Sequence, residues 1–181
     1  HKEYRRQRQM CIRDRVWDLL GIAAPQPVIS AMTISLDTPG AMHQQALKNA
    51  HHPVLKIKLG AETDLPRLQA VRKAAPQSDI IIDANEGWSA DGYLALLPEL
   101  QAARVRLIEQ PLPAGEDDAL RDLPRPIALC ADETCHDRRS LAALKGKYDM
   151  VNIKLDKTGG LQEALALRAA AQKQGLSLIH I

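Results

Sequence analysis

From Val28 onward, short aliphatic or β-branched runs alternate with longer segments rich in Ala, Leu and charged residues at helical period. This is the pattern of βα units feeding a parallel sheet. It predicts strands over residues 28–36, 54–59, 79–83, 105–109, 127–132 and 150–155, with a seventh beginning near Leu176. Helices are predicted between them over 39–50, 62–75, 90–102, 117–122, 138–144 and 161–174. Asp37-Thr38-Pro39 is a sound helix start, a capping side chain followed by Pro in the first turn, and Gly175 closes the last helix. Residues 1–15 show neither period, and their composition breaks sharply at Val16. They are expected to form a non-native or disordered tail outside a folded unit of residues 16–181.

Evenly spaced strands suit either a doubly wound sheet or an eightfold barrel. The first concentrates its chemistry at one crevice, often on a Gly-rich turn, and neither G-x-G-x-x-G nor G-x-x-x-x-G-K-[ST] occurs here. Charged residues instead end five successive strands: Lys56 and Lys58, then Asp83, Glu109, Asp132 and Lys154. That distribution belongs to a barrel, whose chemistry is spread over many strand ends. A whole barrel takes roughly 250 residues, so this chain is expected to be a (β/α)8 TIM-type barrel, incomplete at six to seven βα units.

Alternation along residues 54–59 sets Lys56 and Lys58 on one face and Leu55, Ile57 and Leu59 on the other. The apolar face must meet helices, so the lysines are expected to point into the barrel. Taken alone, lysines guarding an edge strand would read equally well. The same parity pairs Asn152 with Lys154. Three carboxylates, Asp83, Glu109 and Asp132, each follow an apolar run. Converging at a barrel mouth they would raise one another's pKa unless a cation neutralised them. All-oxygen donors without an imidazole or thiolate cluster favour Mg²⁺. Lys58, crowded by Lys56 and near the metal, is expected to have its ammonium form disfavoured, as a general base requires. Lysines on strands two and six face each other across a barrel. A carbon acid between them could lose a proton to one and regain it from the other.

The runs LKIKLG, IIIDANEGW, LIEQPLPA, CADETCH and MVNIKLDKTGG resemble those of the enolase superfamily in its muconate-lactonizing-enzyme-like branch, and within it the dipeptide epimerases. Lys58, Asp83, Glu109, Asp132 and Lys154 follow at intervals of 25, 26, 23 and 22 residues. The resemblance implies that Asp83, Glu109 and Asp132 bind one Mg²⁺, that Lys58 and Lys154 are the acid/base pair, and that Lys56 stabilises an enolate. Asn85, Glu133 and Asn152 match positions that orient these groups. The substrate implied is a small anionic dipeptide of the Ala-Glu type, met in murein peptide metabolism, and a homo-oligomer is compatible with it. The superfamily's α+β capping domain and the strand-eight Asp-x-Asp of the epimerases find no counterpart in the sequence. The same half-site would serve o-succinylbenzoate synthase, muconate cycloisomerase or N-acylamino acid racemase chemistry. A Schiff-base aldolase using Lys154, or an inactive fragment, are the other readings.

Composition narrows the partners. Residues 1–15 hold six Lys/Arg against two acids, which leaves the remainder slightly acidic, with five aromatic residues in the whole chain. This argues against a nucleic-acid surface, which needs a basic stripe and usually stacking rings. No apolar run of 18 residues suggests a membrane span, and three sparse cysteines fit a reducing compartment, so a cytoplasmic location is expected. Cys130, Cys135 and His136 have an unusual spacing for zinc, and Cys135 reads as a small buried residue. Thr158-Gly159-Gly160 reads as a tight turn before a helix. Trp88 would either line a pocket or pack under a loop.

Overall fold

The computed structural model of the protein describes residues 15–60 and 64–179. Helix α1 (Val16–Leu20) precedes β1 (Met32–Ile34), after which the chain runs α2 (Pro39–Lys48), β2 (Val54–Lys58), α3 (Asp64–Ala74), β3 (Asp79–Asp83), α4 (Ala90–Ala102) and β4 (Val105–Glu109). A 3-10 turn (Asp117–Arg121) leads to β5 (Ala128–Ala131), and a second (Arg138–Ser140) continues into α5 (Leu141–Leu144). Then come β6 (Met150–Asn152), α6 (Leu155–Thr158), α7 (Leu161–Lys173) and β7 (Ser177–Ile179). The described strands form one sheet in sequence order, parallel at every pairing and curled into an incomplete TIM-type barrel. Among the described residues β1 pairs only with β2 and β7 only with β6.

Leu55 and Ile57 are fully buried, as are Ile80, Ile82, Ile108, Leu129 and Val151 on the following strands, and they form one core with Leu68, Val71, Leu100 and Leu167 of the helices. The alternation in β2 thus works as predicted, with aliphatic side chains under the helices and lysines on the opposite face. Thr38 caps α2 through Oγ1, which accepts from the Ala41 N–H, and Pro39 is its first residue. Strands β3 and β4 and helix α4 coincide with their predicted spans.

Four predicted elements differ. The first strand keeps only Met32–Ile34 of residues 28–36, because its sole described neighbour, β2, pairs with just those three residues, and Val28 and Ile29 stay exposed. The sixth ends at Asn152, since Lys154 is the cap residue from which the one-turn helix α6 begins at Leu155. The helix expected over 117–122 is a 3-10 turn, and that over 138–144 is split, its Asp137 capping box closing a 3-10 turn before α5. Helix α1 was not expected. Residues 1–14 of the predicted tail, with Cys11, and residues 62–63 of the predicted second helix lie outside the described residues.

The loops leaving β2 and β3 cross at two glycines. A Cβ on Gly87 would stand 2.4 Å from the Gly60 Cα, and one on Gly60, whose φ is +146°, would stand 2.7 Å from the Ala84 carbonyl oxygen. Asp64 locks the crossing: its Oδ2 accepts from the Gly60 N–H at 2.8 Å and from the Trp88 indole N–H at 2.9 Å. Trp88 is buried and packs under this loop. Gly87→Ala is therefore expected to lower stability by about 1–3 kcal/mol, the usual cost of forcing atoms into filled space. Denaturant unfolding checks this, and an unchanged midpoint would refute the crossing as a steric constraint.

Candidate active site

Parallel register brings the charged strand ends into one row. Lys58 pairs with Asp83, Asp83 with Glu109, and Glu109 with Cys130. Asp132 is two residues beyond Cys130, on the same face but one side-chain step farther along. The carboxylates are buried, with Asp83, Glu109 and Asp132 at 1%, 0% and 2% exposure, and four lysines converge on them. Lys56 Nζ donates to Glu109 Oε2 at 2.6 Å and lies 2.9 Å from Asp83 Oδ2. Lys58 Nζ donates to the same Asp83 oxygen at 2.6 Å and to Asn85 Oδ1 at 2.8 Å. Lys154 Nζ donates to Asp132 Oδ2, and Lys157 Nζ to Asp132 Oδ1, each at 2.5 Å. The side chains of Lys58 and Lys154 remain 35% and 37% exposed, against 12% and 14% for Lys56 and Lys157. Two lysines thus face the mouth and two are sunk, Lys56 between two carboxylates and Lys157 against one carboxylate and two main-chain carbonyls.

Burial alone would depress the Lys56 ammonium, but its bonds to Glu109 and Asp83 outweigh this and raise its pKa. The Lys154 ammonium is raised likewise, Asp132 overcoming desolvation. Asp132 is held below the usual carboxylate range because its bonds to Lys154 and Lys157 outweigh burial. Glu109 goes the other way: burial first, then the neighbouring Asp83, push its carboxyl up despite Lys56 and Asn152.

The expected convergence of three carboxylates on one ion is not the arrangement seen. Among the described residues no three His, Cys, Asp or Glu side chains stand together as a metal cluster. Ammonium groups lie between the acids instead, Lys56 bridging Asp83 and Glu109 while Asp132 is bonded to Lys154 and Lys157. The donor set nevertheless suits a hard divalent cation. It is all oxygen, it is buried, and it includes a Glu109 carboxyl that extra positive charge would stabilise. Among the described residues, two buried acceptors, Glu133 Oε2 and Asn152 Oδ1, have no hydrogen-bond partner.

The three residues expected to orient the site are all in it. Asn85, at φ +43°, accepts from Lys58 and donates to Glu133 Oε1 at 3.4 Å, while Asn152 Nδ2 donates to Glu109 Oε1 at 2.7 Å. Sequence reasoning missed Lys157 and a buried polar cluster beneath Asp132. Gln110, with φ +37°, accepts from the N–H groups of Asp132 and Thr134 through Oε1 and donates from Nε2 to Thr134 and Tyr148. Asp117 accepts from Lys147, Tyr148 and Thr134 in turn. The available signal was a Gln directly after a candidate ligand, and a Lys three residues beyond Lys154. Cys130 and Cys135 are both buried, which pushes the Cys135 thiol up to about 11 and makes it a poor nucleophile. The Thr158-Gly159-Gly160 turn forms as expected, with φ +72° and +141° at the glycines.

Residues 41–181 match the family model described as enolase C-terminal domain-like. The L-Ala-D/L-Glu epimerase of Escherichia coli (strain K12) is 49% identical over 164 residues, 90% of this chain and 51% of the relative. An enolase family member from Agrobacterium tumefaciens with homology to dipeptide epimerases, its crystal structure holding sodium and L-Ala-L-Glu, superposes with a TM-score of 0.85. It is 48% identical and covers 90% of this chain and 49% of its own. The dipeptide epimerase of Cytophaga hutchinsonii, complexed with Mg and D-Ala-L-Val, gives a TM-score of 0.83 at 26% identity, over 90% of this chain and 46% of its own. The chain thus spans about half the length of the relatives it matches.

Proposed function

Since the chain belongs to the enolase C-terminal domain-like family, we propose that an enzyme containing it is a Mg²⁺-dependent epimerase of Ala-Glu-type dipeptides. The observation that carries the reading is the sorting of the lysines by exposure. Lys58, at the end of β2, and Lys154, just past β6 four strand positions on, keep their side chains near solvent at the rim of a site whose acids are buried. Such a pair suits proton transfer at a carbon bound between them. One lysine removes the α-proton of the glutamate residue from one face, and the other delivers a proton to the opposite face. Lys154 begins as the ammonium, as its Asp132 contact favours, and so is ready to donate. Lys56 keeps positive charge beside the enolate that forms between these steps.

Asp83, Glu109 and Asp132 would hold the cation, which when bound supplies a positive centre that offsets charge developing on the substrate carboxylate. Asn85 steadies Lys58, Asn152 steadies Glu109, and Glu133 supports Asn85. Counting Glu133, four carboxylates face four lysines, so with one lysine neutral as the base the site carries −1, and a divalent cation brings it to +1, which suits a small anionic dipeptide. The relatives from Escherichia coli and Agrobacterium tumefaciens support the Ala-Glu class, and that from Cytophaga hutchinsonii supports the cation. Cytoplasmic murein peptide recycling is the setting in which such a dipeptide arises, and the described residues contain no helix long and apolar enough to cross a membrane.

Calorimetric titration with Mg²⁺ tests the metal assignment and turnover of L-Ala-L-Glu tests the substrate. Asp83→Asn, Glu109→Gln and Asp132→Asn are each expected to weaken Mg²⁺ by at least about tenfold, the loss seen even for outer partners of metal ligands. Epimerisation should fall with it. Unchanged affinity in all three variants overturns the metal site, and turnover of N-acylamino acids without any of L-Ala-L-Glu overturns the substrate.

A further inference from the structure

Lys157 and Lys154 both contact Asp132, but in different ways. The Lys157 ammonium has three N–H groups and three acceptors: Asp132 Oδ1 at 2.5 Å, the Asp132 carbonyl at 2.6 Å and the Asn152 carbonyl at 3.1 Å. Its donors are fully used, and its side chain is 14% exposed. Lys154, three residues earlier across the single turn of α6, has among the described residues only Asp132 Oδ2 as a partner and is 37% exposed. One ammonium, carried by α6, is thus built onto the ends of β5 and β6, while the other rests on the remaining oxygen of the same carboxylate.

We infer that Lys157 is a positioning residue, an ammonium fixed by two main-chain carbonyls that holds Asp132 by Oδ1 and so reserves Oδ2 for the exchangeable partners of the site. Those partners are Lys154 as the chain stands and, on the reading above, a divalent cation when one binds. The inference rests on that reading for the cation alone; the anchoring of Asp132 stands on the contacts themselves.

The sign of one measurement separates positioning from charge. Coulomb's law makes any ammonium beside Asp132 repel an incoming cation, so Lys157→Met should tighten Mg²⁺ if charge were all that mattered. Positioning requires the opposite. Lys157→Met is expected to weaken Mg²⁺ binding about tenfold, and Lys157→Arg, which keeps the charge but replaces the compact three-donor ammonium by a larger planar fork, to recover only part of that loss. Calorimetry on the 181-residue chain reads both. Amide and lysine-ammonium ¹H–¹⁵N spectra supply an independent reading, in which the Lys157 ammonium protons exchange slowly with water and those of Lys154 rapidly. An unprotected Lys157 ammonium, or a Met variant that binds Mg²⁺ as tightly as the parent or more so, overturns the inference. Should Lys157→Met not fold, Lys157→Gln replaces it, and failure of both to fold makes Lys157 merely structural and overturns the inference too. A parent chain that binds no Mg²⁺ refutes the metal reading instead, and the ammonium exchange rates then decide Lys157 alone.

Discussion

Lys58→Ala and Lys154→Ala, made in an active enzyme containing this chain, are expected to lose epimerisation together and to differ in proton exchange. Each removes a positioned acid or base, worth about 10²- to 10⁴-fold. Neither removes both. Strands β2 and β6 are separated by β3, β4 and β5, so the two lysines approach a bound carbon from different sides of the curled sheet. In deuterated water the lysine that remains can still exchange the α-hydrogen on its own face. Lys58→Ala should therefore retain exchange with one Ala-Glu epimer and Lys154→Ala with the other. Lys56→Met should depress exchange of both, because Lys56 lies between Glu109 and Asp83, where its charge serves either direction. Proton NMR of the two epimers decides the matter. If both Ala variants keep exchange with the same epimer, or both lose it, the two-lysine route is wrong.

What the sequence revealed of this site came from local periodicity. Asp79–Asp83 and Val105–Glu109 are apolar runs closed by an acid, and their ends mark where two candidate ligands stand. The β2 alternation fixed the direction of Lys56 and Lys58 because the buried partners, Leu55 and Ile57, could face only the helices. Periodicity could not show that β6 stops at Asn152, since the parity of Asn152 and Lys154 reads the same whether the chain stays extended or turns into α6. Nor could it reveal ion pairs. Lys56 was legible as an inward lysine, but its bridge between Asp83 and Glu109 spans 27 and 53 residues of chain. Gln110 was likewise illegible as a support for Asp132, because side-chain bonds over 22 residues leave no local trace. The left-handed conformations of Asn85, Glu86 and Gln110 fall directly after the strands that end in Asp83 and Glu109. Such conformations cost energy in non-glycine residues and persist where surrounding bonds fix them. The Glu86 carboxylate accepting from the Ala114 N–H and the five bonds of the Gln110 amide provide that fixation.

Asp117→Ala is expected to be among the most destabilising single changes in the protein, at about 3–5 kcal/mol, because it leaves the Lys147 ammonium buried without its closest partner. The pair is almost wholly enclosed, with side-chain exposures of 1% and 4% and a 2.6 Å contact. Asp118, 3.2 Å from the same ammonium, is 79% exposed and screened by water, so it cannot replace Asp117. Against a total stability of about 5–15 kcal/mol, such a loss leaves little margin. The double variant Asp117→Leu with Lys147→Met should recover most of it, since replacing a buried ion pair by apolar side chains is often neutral. Its deficit would reflect the Tyr148 hydroxyl and Thr134, which also donate to Asp117. The pH dependence has a definite sign. Burial pushes the Asp117 carboxyl up, but its bonds to Lys147, Tyr148 and Thr134 outweigh this and hold it below the usual range. Its contribution is therefore complete above the unfolded carboxylate value of about 3.9 and is lost as pH falls through the lower folded value. Urea unfolding at a series of pH values should show the parent losing stability over that acid range more steeply than the double variant. Because Gln110 joins Tyr148 and Thr134 to the Asp132 main chain, Asp117→Ala should also broaden or shift the Asp132 amide signal. A single variant within about 1 kcal/mol of the parent, or equal acid slopes for parent and double variant, would show that the cluster beneath Asp132 carries no such share of the stability.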